Sequence, residues 1–205
     1  MIEKIFIPTV CRVDRQITYN CLPDELKSRV VFVVQAWERD QYKYDAEYLV
    51  LPEEITLESK NALAQTRKII YDAGKGMKYA MFDDDINFKR RNAKYWTGKS
   101  NMEKSKRACT DDDMIEMFDT FDSWLDEVTL CGCSIASLPP IAKEYMDNTN
   151  IACAYWFNGT HFAKDLDAMH LTDVKVSEDI LLLLGLLSRG YKNRLSTEFL
   201  NTNHS

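Results

Sequence analysis

The chain has 205 residues, a formal net charge of -6, and a composition that is 45% hydrophobic and 28% charged. These proportions are ordinary for a globular protein with a hydrophobic core. No stretch approaches the roughly 20 consecutive apolar residues of a membrane-spanning helix, and the first residues lack the apolar region of a signal peptide, so we expect a cytoplasmic protein without membrane association.

The first 82 residues alternate predicted strands and helices. Strands are predicted at 3–10, 29–35, 47–51 and 79–82, and helices at 18–26 and 59–73. The apolar run at 29–35 is typical of a strand buried on both faces of a parallel sheet. The helix at 59–73 should bury an apolar face that includes Leu63 and Ile70, and it should end at Gly74. The alternation predicts an α/β fold.

Three consecutive carboxylates, Asp83, Asp84 and Asp85, directly follow the strand predicted at 79–82. Open α/β sheets bind ligands in the crevice beyond the carboxyl ends of their strands. If strand geometry persists, Asp83 and Asp85 point to one side and Asp84 to the other. Two carboxylates on one side can share Mg²⁺ or Mn²⁺ with substrate phosphates. Composition alone also allows a solvated acidic turn or a set of helix caps.

Residues 86–110 form a basic island within an acidic protein. They hold eight basic residues and one acid, a local charge of +7, which leaves -13 for the rest of the chain. Cations interleaved with aromatic rings suit a nucleic-acid strand, because phosphates pair with the cations and bases stack on the rings. We predict a basic loop at 89–107 that binds a nucleic-acid strand through Arg90, Arg91, Lys94, Tyr95 and Trp96. A solvated loop without such a role is the alternative.

The second portion begins with an amphipathic helix predicted at 111–127, for which Thr110 is the expected cap. Strands are predicted at 129–137 and 151–157. The last predicted helix starts at Glu178 and Asp179, with Ser177 as its cap, and its leucine-rich sequence predicts deep burial. The two acids suit the positive end of the helix dipole, so capping alone could explain them. The polar tail at 201–205 is expected to be a terminal segment.

The six cysteines show no metal-binding spacing. They lack the paired C-x-x-C pattern of a zinc site, and the chain is too long to depend on a disulfide scaffold. We expect free thiols in a reducing cytoplasm.

The order of these features resembles the GT-A class of nucleotide-sugar glycosyltransferases. The resemblance rests on Arg12 after the first strand, the 64–67 segment (A-Q-T-R), the three aspartates at 83–85, and Glu178-Asp179 at a helix start. The opening I-P-T-V-C-R and the compact size are more narrowly similar to phage-borne, TET-associated glycosyltransferases, which are thought to modify hydroxymethylated pyrimidines in phage DNA.

The resemblance implies a fold, a cofactor and roles for particular residues. It implies one GT-A domain over 1–205, with a Rossmann-like mixed sheet flanked by helices, a donor half at 1–88 and an acceptor half at 89–205. It implies Mn²⁺ or Mg²⁺ held by Asp83, Asp85 and His204. A nucleotide-sugar donor, with a UDP-sugar favoured, would contact Arg12, Arg67, Asp83 and Asp84.

Further implications concern catalysis and partners. Asp179 is the expected catalytic base, Glu178 is the second candidate, and we favour inversion at the sugar carbon. The acceptor would be DNA, and the enzyme would act in the cytoplasm of the host cell that the phage infects. No obligate protein partner is inferred. The residues also leave two other functions open: a metal-dependent nucleotidyltransferase, and a non-catalytic nucleic-acid-binding module.

Overall fold

The computed structural model describes residues 1–92, 105–141, 143–174 and 177–203. Within these residues, ten strands form one mixed sheet with helices on both faces. The strands are β1 (Lys4–Pro8), β2 (Val30–Val34), β3 (Glu47–Val50), β4 (Lys78–Phe82), β5 (Ile86–Arg91), β6 (Lys106–Ala108), β7 (Leu130–Ile135), β8 (Tyr145–Asp147), β9 (Ala154–Asn158) and β10 (Asn193–Asn203). The α-helices are α1 (Ile17–Cys21), α2 (Asp24–Lys27), α3 (Ala62–Ala73), α4 (Asp111–Trp124), α5 (Gly159–Phe162) and α6 (Glu178–Ser188). The predicted α/β class is confirmed.

The strand order is β3-β2-β1-β4-β9-β7-β10-β5-β6, with β8 paired to β10. The first four strands are mutually parallel and run in the order 3-2-1-4, which is the arrangement of one half of a Rossmann-like sheet. β9 then runs antiparallel to β4 and to β7, so the sheet is mixed. The carboxyl ends of the four parallel strands therefore meet at one edge of the sheet.

Two hydrophobic cores, one on each face of the sheet, explain the apolar strands. In β1, Ile5 and Ile7 belong to one core and Phe6 to the other, because side chains alternate along a strand. All five residues of β2 are buried, as expected for a strand covered on both faces. One core contains α4 and the other contains α3 and α6, so both faces are covered by helices.

The predicted caps and apolar faces can be compared with the structure at α4, α3 and α6. Thr110 caps α4 and forms a reciprocal capping box with Asp113, as the sequence predicts for the cap. The predicted faces of α3 and α6 are partly wrong. Leu63 is 49% exposed, because the buried side of α3 is set by residues such as Ile70 and Tyr71. On α6, Leu184 is 58% exposed, so only one face of that helix is buried.

The described residues after position 88 contain strands that the sequence did not predict. Part of the predicted loop 89–107 is strand, because β5 and β6 form an antiparallel hairpin in which Arg90 lies opposite Arg107. β10 includes residues 201–203 of the predicted polar tail and lies between β7 and β5. Its polar Asn193 and Asn201 are 1% exposed and donate hydrogen bonds to backbone carbonyls. A polar sequence can form a central strand when its buried polar side chains are hydrogen-bonded.

None of the helices within the described residues is both long enough and apolar enough to cross a membrane.

Candidate active site

A cleft of about 620 Å³ opens at the edge where the parallel strands end. Its lining comes from the segments that follow β1, β2 and β4, from the start of α3, and from Asn203 at the end of β10. Arg12, Arg67 and the three consecutive aspartates all line it. The fold thus brings together residues as distant in the sequence as Pro8 and Asn203, which are 195 positions apart, at the edge where open α/β sheets bind ligands.

The three aspartates lie in a turn, because β4 ends at Phe82. Thr18 on α1 anchors this turn: its hydroxyl donates to the carbonyl of Asp83 at 2.6 Å, and its amide donates to the carbonyl of Asp84 at 3.1 Å. The alternation expected of a continuing strand does not hold, since Arg12 contacts both Asp84 and Asp85. A turn is not bound by the two-residue period of a strand.

Arg12 and Thr9 hold the buried end of the turn. The Arg12 guanidinium lies 2.5 Å from Asp84 Oδ1 and 3.1 Å from Asp85 Oδ2. Thr9 donates its hydroxyl hydrogen to the other oxygen of Asp84 at 2.5 Å, and Gln16 donates to Thr9 at 2.8 Å. Asp84 is therefore satisfied by protein groups. Burial raises the pKa of Asp84, although Thr9 and Arg12 oppose this effect.

Arg67 connects the aspartate turn to the start of α6. Its side chain is 7% exposed and forms an ion pair with Glu178 through Nη1 and a 3.4 Å contact with Asp83 through Nη2. Burial lowers the Arg67 pKa, but the neighbouring tyrosines and the two carboxylates outweigh it, so the pKa is raised. Glu178 is 3% exposed. Arg67 Nε has no hydrogen-bond partner among the described residues, which leaves one donor in a cleft-lining side chain.

Asp83 lies between the other two carboxylates, Arg67 and Cys153. Burial and the negative charges of Asp85 and Asp84 raise its pKa, whereas Arg67 and a hydrogen bond from Cys153 lower it. Cys153 adopts a left-handed conformation with φ of 68° and accepts the Asp83 amide at 3.0 Å through its carbonyl. A non-glycine residue in this conformation is held there by its surroundings, and such residues cluster at functional sites.

Asp179 is placed differently from its neighbour Glu178. It is partly exposed, accepts a hydrogen bond from the hydroxyl of Tyr155 at 3.2 Å, and accepts the amide of Ile180 at 2.9 Å. Tyr155 also lies under the Arg67 guanidinium, 5.7 Å from it. Of the two adjacent acids, only Asp179 is left without a cationic partner within the described part of the chain. An accessible carboxylate held by a neutral donor suits proton transfer.

The two described basic residues of the predicted acceptor site make contacts within the protein. Arg90 forms bonds of 2.7 to 2.8 Å with Glu198, Asp113 and Glu116. Arg91 is 6% exposed and donates to the carbonyl of Leu138 at 3.1 Å. The other predicted residues of this set, and one predicted metal ligand, lie outside the described residues: Lys94, Tyr95, Trp96 and His204.

Two cleft-lining carboxylates, Asp83 and Asp85, are candidate ligands for a cation that would also bind the phosphates of a substrate. No three His, Cys, Asp or Glu side chains converge on a metal position within the described residues. Asp83 and Asp85 both line the cleft, and burial together with the charge of Asp85 raises the pKa of Asp83. Mg²⁺ is commonly held by one or two carboxylates together with substrate phosphates. The donor set therefore fits Mg²⁺ or Mn²⁺ bound together with a diphosphate.

Several residues of the site carry no sequence signal of their own. Thr9, Gln16 and Tyr155 belong to ordinary strand or loop sequence, and only the folded arrangement brings them to Asp84 and Asp179. Thr9 could have been suspected from its place between the first strand and Arg12. Nothing in the local sequence of Tyr155 distinguishes it from a core residue.

The comparison with protein families identifies the chain. The family model described as TET-Associated Glycosyltransferase matches residues 3–194, which covers the aspartate turn, Arg67 and Asp179. The chain belongs to this family. The TET-associated resemblance seen in the sequence is thereby confirmed, and the chain is a glycosyltransferase.

The other comparisons add little to the family assignment. No curated protein sequence matches this chain. Among solved structures, a similar chain is assigned as a glucose-1-phosphate thymidylyltransferase from Bacillus anthracis, determined with sucrose. It shares 10% sequence identity, with 98% of this chain and 89% of that chain covered, at a TM-score of 0.45. A similarity of this size carries no argument about the activity of the TET-associated glycosyltransferase.

Proposed function

We propose that this TET-associated glycosyltransferase is a GT-A enzyme that moves a sugar from a nucleotide-sugar donor, with a UDP-sugar favoured, to the hydroxyl of a hydroxymethylated pyrimidine in phage DNA. The observation that carries the proposal is the cleft where Arg12, Arg67 and three aspartates converge, in a chain of a glycosyltransferase family. The cleft volume of about 620 Å³ lies within the range of small-molecule sites, about 300–1,000 Å³.

The donor diphosphate would lie beside the aspartate turn. Asp83 and Asp85 would hold Mn²⁺ or Mg²⁺ there, and the cation would supply charge neutralisation for the departing nucleoside diphosphate. Arg12, which is anchored by Asp84 and lines the cleft, supplies a planar donor for phosphate oxygens. Arg67 contributes its free Nε, while its other nitrogens keep Asp83 and Glu178 in place.

Asp179 would act as the base. As the acceptor oxygen forms its bond to the sugar carbon, the bond from that carbon to the phosphate oxygen breaks, and the electron pair leaves with the nucleoside diphosphate. The proton of the acceptor hydroxyl passes to Asp179, which Tyr155 orients through the 3.2 Å hydrogen bond. A single displacement of this kind inverts the configuration at the sugar carbon.

The basic segment would bind the acceptor strand. Arg90 and Arg91 stabilise the hairpin that flanks this segment through their internal contacts, and Lys94, Tyr95 and Trp96 are the proposed contact residues. A base stacked inside a duplex is hard to reach, so the enzyme should prefer single strands or extrude the target base.

The test is a transfer assay with defined substrates. The enzyme is incubated with Mn²⁺, a set of UDP-sugars and an oligonucleotide that contains 5-hydroxymethylcytosine, and the oligonucleotide mass and the released nucleotide are measured. We expect a mass increase of one sugar and release of UDP. Release of pyrophosphate instead would identify a nucleotidyltransferase. Binding of the oligonucleotide without any donor binding or turnover would identify a non-catalytic module.

A further inference from the structure

A second cleft, of about 380 Å³, lies beside the first. It is formed by the loop that follows β1 and by the 3-10 helix Ala36–Gln41 that follows β2. Because β1 and β2 are adjacent parallel strands, these two segments lie at the same edge of the sheet as the active site. Arg12 lines both clefts, so the two clefts are adjacent at this residue.

Glu38 provides an unusual polar group in the second cleft. Its side chain lines the cleft although the residue is only 1% exposed. One carboxyl oxygen accepts the amide of Cys11 at 2.8 Å, and the other has no hydrogen-bond partner among the described residues. A buried polar atom without a partner costs free energy, about 1–3 kcal/mol, unless a ligand or water satisfies it. Such an atom marks the place where a ligand's hydrogen-bonding edge fits.

The rim of the second cleft carries an exposed aromatic ring and an exposed cation. Trp37 is 56% exposed, which is unusual for the largest apolar side chain. Arg15 is exposed, and its guanidinium forms no ion pair within the described part of the chain. An aromatic face, a cation and a buried hydrogen-bonding group are the three elements that hold an unpaired nucleotide: the face stacks a base, the cation pairs with phosphate, and the polar group meets the base edge.

The backbone of the cleft is held in a fixed shape. Cys11 adopts a left-handed conformation with φ of 56°, which a non-glycine residue rarely takes. The hydrogen bond from its amide to Glu38 ties the loop after β1 to the 3-10 helix after β2. The two walls of the cleft are therefore connected directly by this hydrogen bond.

We infer that the second cleft binds one unpaired nucleotide of the acceptor strand, with its base stacked on Trp37 and facing Glu38, and its phosphate paired with Arg15. The inference rests on the proposed function, because it names where part of the nucleic-acid acceptor lies. The larger cleft has room for the nucleotide-sugar donor, so the second cleft is left to the acceptor.

The test measures acceptor and donor binding separately in the 205-residue chain. A labelled single-stranded oligonucleotide that contains 5-hydroxymethylcytosine is titrated by fluorescence anisotropy, and UDP with Mn²⁺ is titrated by calorimetry. The variants are Trp37→Ala, Trp37→Phe, Glu38→Gln and Arg15→Glu. Lys164→Glu is the matched control for Arg15→Glu, because Lys164 is exposed and follows α5 at the opposite edge of the sheet.

The expected pattern separates this cleft from the donor site. Trp37→Ala should weaken oligonucleotide binding roughly tenfold or more, because stacking of one base on an aromatic ring is lost. Trp37→Phe should retain most of the affinity, and Glu38→Gln should weaken it. Arg15→Glu should weaken binding. It should also make the negative slope of log affinity against log salt less steep by about 0.7, the value for one phosphate contact on a single strand. Lys164→Glu should match the wild type.

Three results would overturn the inference. Unchanged oligonucleotide affinity in Trp37→Ala and Glu38→Gln would show that the cleft is not used by the acceptor. Loss of UDP affinity in the same variants would assign the cleft to the donor. If the wild type binds UDP but neither binds nor glycosylates the oligonucleotide, the DNA acceptor of the proposed function fails as well. The first two results leave the proposed function intact.

Discussion

Two adjacent acids, Glu178 and Asp179, differ in what they contact, and the difference separates their roles. Glu178 forms a buried ion pair with Arg67, whereas Asp179 is partly exposed and bonded to Tyr155. The Glu178 carboxylate is buried and already engaged by the Arg67 guanidinium, so it is not accessible to an acceptor hydroxyl. We therefore interpret Glu178 as a positioning residue and Asp179 as the base.

The first prediction compares isosteric substitutions at these two positions. Asp179→Asn should lower kcat by roughly 10²- to 10⁴-fold, because a general base is lost, while the thermal unfolding curve stays close to that of the wild type. Glu178→Gln should destabilise the protein by about 3 kcal/mol, because the buried Arg67 loses its charged partner. Kinetics and thermal unfolding of both variants measure these effects. If Glu178→Gln loses kcat and Asp179→Asn keeps it, the two roles are exchanged.

The second prediction concerns the proposed cation. In the wild type, Mn²⁺ with UDP should raise the melting temperature, because a ligand that binds only the native state stabilises it. Asp85→Ala should remove this increase and abolish turnover while the protein stays folded. Asp112→Ala, at an exposed acid on α4, is the control and should behave as the wild type does. Full activity in Asp85→Ala would refute the assignment of Asp85 as a ligand.

At the scale of elements, the Asp113 carboxylate fixes the start of α4. The sequence predicts the Thr110 cap but not the bonds of this carboxylate to distant arginines. Asp113 belongs to the capping box with Thr110, and it also bonds Arg107 and Arg90. The hydrogen bonds from Arg107, with those of Thr110 and Arg90, hold the pKa of Asp113 well below its usual range, although burial opposes them. This one side chain joins α4 to the β5–β6 hairpin.

The third prediction follows from that pKa. A carboxyl whose pKa is lowered by folding contributes stability above its unfolded value of 3.8, and the contribution is lost as the pH falls below that value. Asp113→Asn should therefore destabilise the protein at pH 7 by about 2 kcal/mol, since bonds to a charged group are replaced by weaker ones. The difference from the wild type should shrink as the pH falls below 3.8. Urea unfolding at several pH values measures it.

Asp112→Asn is the matched control for that experiment, because Asp112 lies in the same helical turn but is exposed. It should change stability little at any pH. A difference in unfolding free energy between Asp113→Asn and the wild type that stays constant from pH 7 to pH 3 would contradict the linkage. It would show that the substitution acts through packing rather than through charge.

At the scale of the whole molecule, charge is distributed unevenly, with +7 in residues 86–110 and -13 elsewhere. The structure accounts for some of these cations, since Arg90 and Arg107 are bonded to carboxylates and Arg91 is buried. Charge reversal at Arg90 or Arg91 would disturb folding, and it would not report on acceptor binding alone.

The fourth prediction therefore uses other residues of the island. Lys94→Glu combined with Trp96→Ala should raise KM for DNA and flatten its dependence on salt, because a phosphate contact and a stacking contact are both lost. Hydrolysis of the donor without DNA should change little. Transfer kinetics at several salt concentrations measure these effects. An unaltered KM and salt dependence would favour an acceptor that is not a nucleic acid.

The sequence by itself determined the four strands up to Phe82, helix α3, the acidic turn after β4, and the Thr110 cap of α4. The single helix predicted at 18–26 was wrong, because Pro23 separates two short helices, α1 and α2. These features depend on hydrophobic periodicity and on capping residues within a few positions, so local sequence is sufficient to predict them. The TET-associated family was also recognisable from short motifs, which lie at the end of β1, within α3, after β4 and at the start of α6.

Only the tertiary structure decided the place of β10 and the partners in the active site. Asn193 and Asn201 are polar, and their burial depends on backbone carbonyls more than 40 positions away in the chain. Likewise, Glu178 and Asp179 are indistinguishable as neighbouring acids until Arg67, which is 111 positions away, bonds one of them. Contacts between distant segments form only when the sheet is assembled, so no local pattern encodes them.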